Sequence, residues 1–146
     1  MRKILTTTTL ALGLLAGTAA MAQSAPASAP LYQALGEKAG IASLVDDFVN
    51  RLRADTRIGT QFKEVKPAFL KGQITDQFCV VTGGPCKYDG ENMKKAHETL
   101  KINTGDFNRL VEVLQDAMDA KQIPFSVQNQ LLARLAPMHV DIVNVK

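Results

Sequence analysis

Apolar residues recur at intervals of three and four along most of this chain, while almost no stretch alternates with a period of two. Ile41, Leu44, Val45, Phe48 and Leu52 form one stripe, with Asp46, Asp47, Asn50 and Arg51 on the other side. That spacing predicts an amphipathic helix of about 14 residues. A second long helix is predicted from Pro67, a residue the first helical turn tolerates, through Leu70, Ile74, Phe78 and Val81 to the stop at Gly83-Gly84-Pro85. Met93, Ala96, His97 and Leu100 make a face only two turns long after the turn-rich stretch around Tyr88-Asp89-Gly90. Phe107, Leu110, Val111, Leu114 and Met118 form the cleanest stripe, with Thr104 as the predicted N-cap and Ile123-Pro124 as the break. Ser126 is the predicted cap of a last helix that buries Val127, Leu131, Leu135, Met138 and Ile142 and is kinked by Pro137. The pattern is therefore all-α, with about five helices and no internal repeat.

The first residues, MRKILTTTTLALGLLAGTAAMAQ, have a basic start, an apolar and threonine-rich run, and a small-x-small site at Ala20-Met21-Ala22. They read as a secretory signal peptide over residues 1–22, which directs the chain to a periplasm or the medium. The apolar run is shorter than the roughly 20 residues a membrane span needs, so no span is expected after its removal. Residues 23–30, QSAPASAP, read as a linker, and one folded domain is expected over residues 31–146. Loss of Arg2 and Lys3 takes two from the formal charge of +3 and leaves +1. Near neutrality, with aromatics at 5% and no Trp, the domain has neither the field nor the stacking platform that nucleic acid binding uses.

Few residues can carry chemistry. No glycine-rich phosphate loop and no Ser/His/Asp set is present. Asp46 and Asp47 are neighbours on a polar helix face, a solvated arrangement rather than an acid/base pair. The two histidines and two cysteines remain. Taken alone, His97 reads as a core or surface histidine, since one imidazole cannot complete a structural zinc site. It is enough for a haem iron, whose other in-plane ligands come from the porphyrin.

Leu31-Tyr32-x-x-Leu35-Gly36, Val45-Asp46-Asp47-Phe48, Ala54-Asp55 with Phe62, Leu70-Lys71-Gly72 with Phe78, and Gly83-Gly84-Pro85-x-x-Tyr88-x-Gly90-x-x-Met93-x-x-x-His97 together resemble a group I truncated haemoglobin. The resemblance runs from about Leu31 to Val143. It implies a two-over-two helical sandwich around haem b, with His97 as the proximal iron ligand. On the same basis Phe48, Leu70, Ile74 and Phe78 would face the distal side and Phe62 would stack near the ring. Met93, Leu100, Ile102 and Phe107 would line the proximal side. The absence of C-x-x-C-H excludes c-type attachment.

Departures from the family pattern bear on function. Val49 stands where many members place a distal tyrosine, and the other usual distal positions hold Leu70, Ile74 and Gln77. Such a set lacks hydrogen-bond donors for a bound diatomic ligand, so faster oxygen loss is expected than in tyrosine-bearing members. Gln73 and Gln77 are the nearby polar side chains that would offset this by turning inward. No second histidine is placed to cap the iron. His139 matches a position that bonds a haem vinyl in some relatives, with the haem edge or the surface as the alternative. Cys79 and Cys86 form an even pair in an exported chain, which favours a disulfide over buried thiols or a metal site.

The resemblance implies binding of O2, NO or CO, for binding, transport or detoxification, with an unidentified reductase as partner. Nitric oxide dioxygenase and weak peroxidase chemistry are the enzymatic readings it leaves open. An electron-transfer haem protein and a cofactor-free helical interaction domain are the alternatives from other classes.

Overall fold

The computed structural model describes residues 30–145. The expected signal peptide and all but the last linker residue lie outside the described residues. That last residue, Pro30, already opens a helix, α1 (Pro30–Ala34). There follow α2 (Glu37–Ala54), α3 (Pro67–Val81), α4 (Met93–His97), α5 (Thr104–Ala120), α6 (Phe125–Leu135) and α7 (His139–Ile142). Two 3-10 turns, Gly59–Phe62 and Ala136–Met138, interrupt the series, and no strand occurs among the described residues.

The first stripe organises the core. Ile41, Leu44, Val45, Phe48, Val49 and Leu52 are all buried on α2, which packs most extensively against α3 and then α5. Burial of side chains of this size contributes about 1.5–3 kcal/mol each before conformational entropy is counted. α2 has 18 residues, more than its stripe predicts, because Gly36 adopts a left-handed φ of 78° and lets the helix start at Glu37. The α5 stripe divides: Val113, Leu114, Ala117 and Met118 are buried in the core, while Phe107, Leu110 and Val111 are half-buried.

Local chemistry moves several helix boundaries. Asn103, not Thr104, caps α5: its Oδ1 accepts from the Asp106 amide at 3.0 Å, and Asp106 Oδ2 accepts from the Asn103 amide at 3.1 Å. This reciprocal pair satisfies two donors that a threonine cap alone would leave. Ser126 is inside α6 instead of capping it, and the amides of Val127 and Gln128 donate to the Pro124 carbonyl. Pro137 ends the helix instead of kinking it, since it lacks an amide and crowds the preceding turn. The chain passes through Ala136–Met138 and restarts as α7. α4 is one turn of five residues where the sequence predicts two.

Candidate functional site

The apolar faces of α3, α5 and α6 do not meet everywhere; they enclose a cavity of 690 Å³ together with α4 and the loops beside it. That volume lies inside the roughly 300–1,000 Å³ typical of sites for organic ligands. Phe48, Leu70, Ile74 and Phe78 line one side, Met93, Leu100, Ile102 and Phe107 another, and Phe62 reaches it from its 3-10 turn. Walls of this kind suit a largely apolar organic group fixed by a few polar contacts.

His97 also lines the cavity, at the end of α4. Its Nδ1 lies 2.7 Å from the Met93 carbonyl oxygen one turn earlier. A carbonyl only accepts, so this contact selects the tautomer with a proton on Nδ1 and leaves the Nε2 lone pair free for a metal. The helical spacing of Met93 and His97 thus places the imidazole beside the carbonyl that orients it.

Val49 departs from the sequence expectation. It is fully buried in the helical core and is absent from the cavity lining. Consecutive helical residues diverge by about 100°, so with Phe48 turned to the cavity, Val49 is carried into the core. His139 does not line the cavity either; its ring stands edge-on against Phe107, with centroids 4.8 Å apart at 82°. It therefore buttresses a wall residue.

The cavity is more polar than its helical stripes suggest. Gln73 and Gln77 both face it, as does Gln61 from the 3-10 turn. Gln77 Nε2 points at the sulfurs of Met93, at 3.1 Å, and Met138, at 3.7 Å. Tyr88 lines the cavity as well and donates its hydroxyl to the Glu91 carbonyl at 2.9 Å. Burial, with a smaller contribution from the Glu91 charge, pushes the Tyr88 phenol above its ordinary range, so it stays a protonated donor. A side chain at Gly90 would meet Gln73 Oε1 and the tip of the Tyr88 ring, so glycine lets these two side chains close over the loop without shifting. Gln61 and Tyr88 are site residues that periodicity missed, Tyr88 being visible only as part of the loop motif, whereas Met138 belongs to the last apolar stripe.

Two polar clusters hold the approach to the site. Arg53 on α2 donates to the carbonyls of Phe62 and Val65, the latter at 3.0 Å, and so anchors the turn that carries Phe62. Asp55 accepts from the amides of Arg57 and Ile58 at 2.9 and 3.0 Å and from Arg109 Nε at 2.9 Å. The Arg109 bond, then that of the Ile58 amide, holds the Asp55 carboxyl below its ordinary value. Away from the cavity lining, Cys79 and Cys86 are joined in a disulfide that ties α3 to the loop leading to α4. Asp46 and Asp47 pair with Lys71 and Arg51, at 2.6 and 2.7 Å, on the surface.

Fold and site together define an all-helical protein built around an apolar chamber with one available imidazole. The family model of the bacterial-like globins matches residues 30–144. The chain is 28% identical over 114 residues to a group 1 truncated haemoglobin of Mycolicibacterium paratuberculosis, covering 78% of this chain and 84% of that one. It is 29% identical over 120 residues to one from Synechocystis sp., covering 78% and 97%. Among solved structures, the truncated haemoglobin of Tetrahymena pyriformis in its Fe(III) form superposes with a TM-score of 0.75 at 24% identity, covering 78% of this chain and 97% of that one. The 2/2 haemoglobin of a Synechococcus species, solved with covalently attached haem, gives 0.74 at 22% identity, with 81% and 99% covered. The chain belongs to the bacterial-like globin family, as a group I truncated globin with the two-over-two helical fold. Membership carries haem binding and an oxygen-related function to this chain at that level of description.

Proposed function

We propose that this chain is a haem b protein that binds O2, NO or CO at an iron held by His97. One observation carries the reading: an imidazole on the cavity wall has its Nδ1 engaged by the Met93 carbonyl, which leaves Nε2 as the metal-facing nitrogen. The cavity residues fit the group, since Phe48, Phe62, Leu70, Ile74, Phe78, Met93, Ile102 and Phe107 offer apolar faces to a porphyrin. Haem, when bound, would supply an iron able to take a diatomic ligand. This chain's own residues exclude water, fix the imidazole tautomer, and set the polarity facing that ligand through the amides of Gln61, Gln73 and Gln77.

Oxygen binding, transport or detoxification is the role that follows, with an external reductase needed for turnover. Export to an oxidising compartment belongs to the same reading, supported by the N-terminal segment and by the Cys79–Cys86 disulfide. Among the described residues no helix is long and apolar enough to cross a membrane.

Absorption spectra of the haem-loaded chain, as ferric, reduced and CO-bound samples beside His97→Ala, test the proposal. The expected result is a five-coordinate ferrous form that takes CO, and loss of stable iron coordination in the variant. Absence of stoichiometric haem uptake would overturn it, and a sixth protein ligand in both oxidation states would favour electron transfer. Stopped-flow oxygen release from the same sample is expected to quicken when Gln73 and Gln77, which face the cavity, are replaced by leucine.

A further inference from the structure

We infer that Asn144 is a positioning residue for His97, acting through a C-terminal strap that fixes α4 against the cavity. This rests on the reading of His97 as the iron ligand. α4 is a single turn with no buried residue, and it packs chiefly against α7. So short an element cannot set its own orientation, because isolated helical turns are unstable.

The chain after α7 supplies what packing does not. Asn144 Nδ2 donates to the His97 carbonyl at 2.6 Å. The same carbonyl accepts from the Leu100 amide at 3.0 Å, so one of the end carbonyls that a helix leaves without a continuing partner is fully used. Beyond Lys101, whose φ of 52° turns the chain toward α5, the Ile102 carbonyl accepts from the amides of Asn144 and Val145 at 3.0 and 3.1 Å. The strap therefore grips both sides of the α4–α5 turn, and Asn144 makes one bond on each side. The Met93 carbonyl orients the imidazole ring; Asn144 holds the backbone on which that ring is mounted.

The test uses the full chain and the variants Asn144→Ala, Asn144→Asp and Asn144→Gln. The aspartate keeps the shape but cannot donate, whereas the glutamine retains an amide donor. In the haem-free chain, amide hydrogen exchange over residues 93–102 should rise in the alanine and aspartate variants while α2 and α5 stay protected. In the haem-loaded chain, the same variants should shift the iron–histidine stretching band and release haem to apomyoglobin about two- to fivefold faster, within the range one lost hydrogen bond allows. Glutamine should restore both. Unchanged exchange over 93–102, with an unchanged band, would overturn the inference. Collapse of protection in α2 and α5 would overturn it too, since a strap that positions α4 leaves the core closed. A band that survives His97→Ala would refute the ligand assignment instead, while the exchange data still decide whether Asn144 holds α4.

Discussion

The walls of the cavity are held in opposite ways. On one side, α2, α3 and α5 bury Ile41, Leu44, Val45, Phe48, Leu52, Phe78 and Leu114 in a continuous core. On the other, residues 85–91 make no backbone–backbone hydrogen bond among the described residues, and α4 buries none of its own side chains. The core side is fixed by packing, which is distributed and redundant. The His97 side is fixed by a disulfide at one end and the Asn144 strap at the other. A rigid core facing a lightly packed segment tied at two points lets a large group enter the cavity without loosening the core.

Truncation separates the two sides most sharply. Leu44→Ala removes a side chain 1% exposed in the core. It should cost about 2–5 kcal/mol, as such cavity-forming changes do. Leu100→Ala acts at a position 45% exposed beside α4. It should stay within about 0.5 kcal/mol of the starting stability. Urea unfolding of both variants checks the contrast, and comparable losses would break it.

Reducing the disulfide addresses the tethered side next. Opening the loop between Cys79 and Cys86 should lower stability by about 2–3 kcal/mol in the chain-entropy model. The loss should appear as increased hydrogen exchange over residues 83–97. Alkylation with and without reductant, followed by mass measurement, gives the thiol count; full labelling without reductant would show that the bond is not formed in solution.

The smallest effect concerns the link between α2 and α5. Asp55 has its carboxyl held below the ordinary value of 3.8, first by the Arg109 side chain and then by the Ile58 amide. A depressed folded-state value means that this contribution is present above the unfolded value and is lost as pH falls through the folded one. Asp55→Asn should therefore lower the melting temperature at neutral pH and flatten its decline below about pH 4. A parallel acid limb in both proteins would assign the acid sensitivity to other carboxylates.

Most of the fold was legible because helical periodicity is written locally. The stripes on α2, α3 and α5, the proline that opens α3 and the glycines that close it all place themselves within a few turns of chain. The candidate ligand was legible through the family resemblance, whose loop motif from Gly83 to His97 is continuous in sequence. Less was readable where one position decides between two faces. Val49 follows Phe48 directly, and only the packing of α2 on its neighbours determines which of them meets the cavity. The same holds at Asn103, where Asp106 makes asparagine a better cap than the threonine beside it.

By itself, the sequence determined the helical class, the order of the long helices and the cysteine pair, because each depends on spacing along one segment, and it pointed to His97 only through its resemblance to a known family. The tertiary structure alone decided that three glutamines face the cavity, that His139 supports Phe107 from outside it, and that Asn144 reaches His97 from 47 residues away. Those outcomes depend on how helices distant in sequence come together, and a side chain's partner across such an interface leaves no periodic trace in the chain that carries it.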